Sequence, residues 1–261
     1  MIRQPLGVRL DPDGPIREQV RLAATLGARG VVIEAGGDLH PERLTETGRR
    51  EVRHLLRSVE LDLVAVLLPT RRGYDVLDDL DLRLRRADRA FEVAYDLGSR
   101  LVLVNAGAVP PEAEADRRLT YDTALAELAK SADHRGIRLG LETRSESGAT
   151  LRAFLESRGT PSLAASLDPA ALLGLGIDPV VAVRELGPWV VHAYASDSAT
   201  GDRATRIANP RGLGFPPGAL DWIEYLGALE EINYTGFLTA WPDPGRMDTQ
   251  LPALIERLKR Y

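Results

Sequence analysis

Residues 137–169 read IRLGLETRSESGATLRAFLESRGTPSLAASLDP. IRLGLET and LAASLD are apolar runs of strand length, and ATLRAFLES between them carries apolar residues at helical spacing, so the stretch is a strand, a helix and a second strand. A crossover of that length joins parallel strands. Each run ends in a carboxylate, Glu142 and Asp168. Two later runs end in polar and aromatic groups: VVHAYASD with His192, Tyr194 and Asp197, and FLTAW with Trp241. As successive parallel strands of one barrel, these ends converge on a single mouth, where barrel enzymes keep their chemistry.

Working outward, the same alternation recurs. LGVRL (6–10) precedes the helical PIREQVRLAATLGARG, which Gly27 and Gly30 close; VVIEA precedes a helix ending near Val59; LDLVAVLL precedes the 76–97 segment; RLVLVNAG precedes TYDTALAELAKSADHRG. On the far side, LAASLD pairs with DPVVAVREL, WVVHAY with ALDWIEYLGALEEI, and GFLTAW with MDTQLPALIERLKRY. Eight strand-helix units emerge. The strands are near-continuously apolar and rich in Val and Leu, as parallel strands buried on both faces must be. A doubly wound open sheet needs a phosphate-cradling G-x-G-x-x-G turn, and LGVRLDPDGP does not match it. No Pro/Gly/Ser-rich linker divides the chain, so the expectation is an α/β protein: a single (β/α)8 TIM barrel over residues 1–261.

Composition narrows the function classes. The 261 residues are 44% hydrophobic and 27% charged, enough for one large core. The net charge of −5 gives no electrostatic reason to expect nucleic acid or an anionic membrane as partner. The 31 arginines against 2 lysines read as compositional bias, because arginine also covers solvated helix faces. MIRQPLGVRL has no signal-peptide pattern and no apolar run approaches membrane-spanning length, so a cytoplasmic protein is expected. Zero cysteines exclude disulfides, thiolate metal sites and cysteine nucleophiles. Lys130 and Lys259 fall in outer-helix segments, which leaves Schiff-base chemistry without a candidate. The phosphate-loop, H-E-x-x-H and G-x-S-x-G motifs are all missing.

From about Ile137 to Pro242 the chain resembles the xylose-isomerase-like TIM-barrel family of sugar isomerases and epimerases, whose corresponding strand ends carry Glu, Asp, His and Glu around a divalent metal. IRLGLET resembles the family's fifth strand with its ligand Glu at Glu142; SLDPAALL resembles its Asp-x-x-His element, with the His position taken by Ala171. In VVHAYASD the family's His-x-His-x-x-Asp pattern maps onto His192, Tyr194 and Asp197, so a phenol stands where a metal-ligand imidazole would be. GLGFPPGALDW resembles the paired-glycine connection through Gly214 and Gly218, and Trp241 stands where the last strand has Glu. The resemblance implies a sugar or polyol as partner. An indole has only an N–H donor and a neutral phenol is a poor ligand, so no metal is expected; Mn or Mg enters only if Glu142 and Asp168 still bind it.

Several roles stay open at this stage. Glu142, Asp168 and His192 form the candidate catalytic set, with Glu142 as base and the other two as polar partners. Alternatively, Glu142 and Asp168 bind Arg144 or backbone N–H groups, Asp168 before Pro169 being a good N-cap, and His192 is a hydrogen-bonded interior histidine. Trp241, Tyr194, Arg9, Arg144 and Asp197 are candidate substrate contacts, the indole as a platform for a sugar ring and the phenol as a hydroxyl partner. The two aromatics could equally fill the volume of lost ligands. Arg9, Arg71, Arg72 and Arg144 are candidates to hold a phosphate or carboxylate, and the polar 195–218 stretch to cover substrate. The leading expectation is metal-free proton transfer beside a sugar carbonyl; a catalytically silent sugar-binding or scaffolding barrel is second, and an active metal-dependent isomerase third. An oligomer is compatible with all three.

Overall fold

Apolar runs with one side chain in, one side chain out, closed on themselves by hydrogen bonds, leave no sheet edge exposed. The computed structural model, which describes residues 3–144, 146–196, 220–243 and 245–261, has this arrangement. Its strands are β1 (Leu6–Arg9), β2 (Gly30–Glu34), β3 (Asp62–Leu68), β4 (Leu101–Val104), β5 (Arg138–Glu142), β6 (Leu163–Leu167), β7 (Val190–Ala195) and β8 (Leu238–Ala240). They pair in chain order, all parallel, and β8 closes on β1. Each of the eight expected strands is thus present in a (β/α)8 barrel.

The helices around it are α1 (Ile16–Thr25), α2 (Glu46–Ser58), α3 (Leu80–Leu97), α4 (Ala115–His134), α5 (Gly148–Arg158), α6 (Pro169–Gly174), α7 (Pro179–Leu186), α8 (Trp222–Glu231) and α9 (Met247–Leu258). Their starts are chemically marked: the side chains of Thr45, Ser147, Asp168, Asp178 and Asp221 each accept a hydrogen bond from a first-turn N–H. Two boundaries differ from the sequence expectation. The 76–97 segment becomes helical only at Leu80, because Asp79 takes a left-handed φ of 55° and Arg83 donates to the carbonyls of Val76 and Asp78, fixing a turn instead. Helix α4 starts five residues before Thr120, at Ala115. No helix among the described residues is long and apolar enough to cross a membrane.

Strand alternation sorts the side chains into two cores. Val31, Ile33, Val66, Val102, Val104, Leu139, Leu141 and Leu167 pack outward beneath the helices. Val32, Ala65, Leu67, Leu103 and Tyr194 pack inward, with Leu101 and Trp241 against them. The inner face is therefore apolar along β2 to β4, whereas the inward positions of β5 to β8 carry Glu142, Ser166, His192, Tyr194 and Thr239. This asymmetry gathers these five polar groups on one side of the barrel, with Glu142 and Tyr194 toward its C-terminal end.

The loops after β3 and β4 are stitched together by backbone: Tyr74 N–H donates to Ala106 O at 2.9 Å. Gly107 makes the approach possible, with φ of +85° and an added Cβ only 2.7 Å from the Cα of Gly73. Gly107→Ala should accordingly destabilise the protein by about 2–4 kcal/mol in urea unfolding, from left-handed strain plus backbone overlap. A loss below about 0.5 kcal/mol would show that these loops are not in contact.

Candidate functional site

The lower polar layer consists of hydroxyls around one imidazole. His192 Nδ1 lies 2.9 Å from Ser166 Oγ and Nε2 lies 2.8 Å from Thr239 Oγ1, so both ring nitrogens are engaged by neighbouring strands. The ring is completely buried, and that desolvation lowers its pKa from 6.5 to about 3, against the opposing pull of Asp168. A neutral ring without solvent contact is suited to holding position. It sits edge-on to Tyr194, with centroids 4.5 Å apart. His192 therefore forms the floor under Tyr194, one pleat below the mouth.

Above this floor, the strand ends meet. Tyr194 Oη donates to Glu142 Oε1 at 3.3 Å, while Tyr225 Oη, from α8, donates to the carbonyl of Tyr194 at 3.0 Å. The Tyr194 and Trp241 rings pack at 4.8 Å with a 42° tilt. Burial raises the Tyr194 phenol well above its ordinary pKa, and the charge of Glu142 adds to this, so it remains a donor. Asp168 caps α6, accepting from Ala171 N–H at 3.2 Å, and its own N–H donates to Thr143 Oγ1 at 2.9 Å. The N-cap role of Asp168 and its place at the mouth thus coexist.

The charges are arranged around guanidinium groups. Arg144 places Nη1 3.6 Å from Glu142 Oε2 and Nε 3.9 Å from Asp168 Oδ2. Its side chain is 18% exposed and those of the carboxylates 2% and 0%, so the three charges share a poorly solvated space. Burial opposes the Arg144 charge, but Glu142 and Asp168 outweigh it and raise its pKa. Arg9 Nη2 donates to Glu34 Oε2 at 2.8 Å, and its Cζ lies 3.7 Å from the centroid of Trp241. One face of the indole is therefore covered by Arg9, which narrows the sugar platform expected of Trp241.

Of the residues singled out in the sequence, Glu142, Asp168, Tyr194, Trp241, Arg144 and Arg9 come together; His192 lies beneath them; Asp197 falls outside the described residues. Arg71 and Arg72 are not part of this cluster and line a cleft after β3. Glu34 was missed, although VVIEA ends in a carboxylate just as LGLET does. Ser166, Thr143 and Thr239 carry no signal in a single sequence beyond their place in strand runs.

The model of the xylose isomerase-like TIM barrel family matches residues 20–261. The chain belongs to the xylose isomerase-like TIM-barrel family. A xylose isomerase domain protein from Planctomyces limnophilus superposes with a TM-score of 0.82 at 21% identity, covering 98% of this chain and 95% of that one. D-allulose 3-epimerase from Methylomonas sp. gives 0.72 at 20% identity, over 100% and 98% of the two chains. The 3-keto-D-glucoside 4-epimerase of E. coli gives 0.76 at 15%, over 99% and 100%. At these identities the likeness shows the fold. No curated protein sequence matches the chain.

The donor set does not fit the divalent ion that the family resemblance implies. By that resemblance Tyr194 and Trp241 stand at two of its four ligand positions, and Arg144 sets a fixed positive charge 3.6 Å from Glu142 Oε2 and 3.9 Å from Asp168 Oδ2, against any ion between them. Among the described residues, no three His, Asp or Glu side chains are placed to hold one ion.

The loop that carries Arg144 is anchored through Glu146, whose Oε2 accepts from Val109 N–H at 3.1 Å. Burial raises the Glu146 pKa from 4.5 to about 7, partly offset by that hydrogen bond. A carboxyl raised on folding stabilises most below its unfolded pKa, and the contribution is lost as pH rises through 7. Glu146→Gln keeps the acceptor and removes the titration. The stability advantage of the variant over the parent should grow between pH 5 and 8.5 by roughly 3 kcal/mol at most, measured by urea unfolding. A difference independent of pH would place Glu146 in water.

Proposed function

We propose that the barrel mouth binds a sugar or polyol and moves a proton at the carbon beside its carbonyl, with Glu142 as base and without a divalent metal. The observation that carries this reading is the Arg144 guanidinium set against both Glu142 and Asp168, with Trp241 5.8 Å away. Removal of the C–H proton by Glu142 turns that electron pair into a C=C bond and moves the carbonyl electrons onto oxygen. The enediolate so formed needs preorganised donors. Arg144 supplies a fixed positive charge and Tyr194 a phenolic O–H, both in a space that excludes water and strengthens their effect.

The arrangement favours isomerisation over epimerisation. Transfer between adjacent carbons on one face of an enediolate requires one base that gives back what it took. Inversion of a carbon requires a second proton donor on the opposite face, and Trp241 stands where the family's second carboxylate would be. Within this reading Asp168 holds Arg144, His192 supports Tyr194 from below, and Arg9 with Glu34 borders the ligand.

A second reading, a sugar-binding barrel without catalysis, is supported by the same pairing. A carboxylate whose oxygens are engaged by a guanidinium and a phenol has fewer lone pairs free to meet a substrate C–H. Incubation with a panel of ketopentoses and ketohexoses in D2O, followed by proton NMR, separates the two. The first reading predicts loss of the C–H signal beside the carbonyl for at least one sugar, slowed by about 10²–10⁴ in Glu142→Gln. Saturable binding without exchange selects the second reading, and exchange unaffected by Glu142→Gln contradicts the role given to that residue.

A further inference from the structure

Beside the mouth, a cleft of about 770 Å³ opens between the loops after β2 and β3 and the first turns of α3. Glu34, the partner of Arg9, lines its inner end, so the cleft leads outward from the mouth. Arg71, Arg72, Arg83, Arg86 and Arg89 line it, against the carboxylates of Glu34, Glu42 and Asp79. Most of these arginines are already engaged: Arg72 pairs with Asp78, Arg89 with Glu92, and Arg83 with the carbonyls of Val76 and Asp78. Arg71 and Arg86 are exposed and have no hydrogen-bond or ion-pair partner among the described residues.

The cleft also holds donors that have nothing to donate to. Tyr74 is fully buried, and neither its hydroxyl nor Arg83 Nε has a hydrogen-bond partner. Both residues line the cleft, and burial keeps the phenol protonated. A buried donor left unpaired is costly, and two unpaired donors on residues lining one cleft are complementary to an acceptor with several oxygens. Guanidinium groups match such an acceptor bidentately. With two exposed guanidiniums and two buried donors among its lining residues, the donors outnumber what the two oxygens of a carboxylate would satisfy.

We propose that this cleft is a subsite for a phosphate-class oxyanion carried by the ligand at the mouth, held by Arg71, Arg86, Tyr74 and Arg83. It rests on the sugar reading above and adds that the substrate is phosphorylated. Tyr74 Oη and Arg83 Nε are closed to water in the ligand-free protein, so their contact with the anion requires the turn that Arg83 holds to open on binding.

Calorimetric titration of the full chain tests this with three probes: inorganic phosphate, D-fructose 6-phosphate with D-ribulose 5-phosphate, and the corresponding unphosphorylated sugars. Inorganic phosphate should bind at one equivalent. Its affinity should fall about tenfold or more in Arg71→Gln/Arg86→Gln and several-fold in Tyr74→Phe. Tyr74→Phe should at the same time raise the thermal stability of the ligand-free protein, because it removes an unpaired hydroxyl, a gain that a purely structural hydrogen bond would reverse. A sugar phosphate should bind more tightly than its parent sugar, and the gap should close in the double arginine variant. Phosphate binding that is absent, or unchanged in these variants, overturns the proposal and leaves the mouth reading intact if the sugars still bind and exchange. Arginine-dependent phosphate binding with no gain from an attached sugar overturns the subsite, and marks a free-phosphate site.

Discussion

Two carboxylates removed from water repel each other and call for a counter-charge, and this requirement organises the mouth of the barrel. Glu142 and Asp168 are almost inaccessible, and among the described residues the guanidinium of Arg144, two residues beyond Glu142, meets both. Its planar head spans both carboxylates while one of its nitrogens remains directed at each. Around that core, Tyr194 donates to Glu142, Asp168 is fixed by the first turn of α6, and Arg9 is held over Trp241 by Glu34. Removal of Arg144 would take away the cation that Glu142 and Asp168 share.

The barrel makes this charge cluster affordable by segregating it. Its inner face is filled with Val32, Ala65, Leu67 and Leu103 on one side, which need no partners, and with hydrogen-bonded polar groups on the other. His192, pinned by Ser166 and Thr239, transmits the position of three strands to the ring of Tyr194. The arginine-lined cleft lies beside this cluster, with Glu34 on its wall.

The fold was legible because parallel strands buried on both faces read as unbroken Val- and Leu-rich runs, and helices between them announce themselves by period and by caps such as Ser147 and Asp168. The start of α3 was not, since a left-handed Asp79 is set by Arg83 reaching back to the preceding turn, a contact without local signature. Strand-end logic located Glu142, Asp168, Tyr194 and Trp241, and the open alternative in which the carboxylates bind Arg144 is the contact found. The burial of His192, the pairing of Arg9 with Glu34 and the cover Arg9 lays over Trp241 depend on distances between strands far apart in the chain, which spacing along one sequence does not encode.

The central proposal is that a guanidinium takes the place which the family resemblance gives to a divalent ion. Calorimetric titration of Mn²⁺ into the protein and into Tyr194→His/Trp241→Glu/Arg144→Gln measures it most directly. The account predicts no stoichiometric binding to the parent and one tight site in the triple variant, because ligands and vacancy are restored together and are coupled through the ion. Binding of Mn²⁺ to the parent at one equivalent with micromolar affinity, lost on Glu142→Gln, would contradict it.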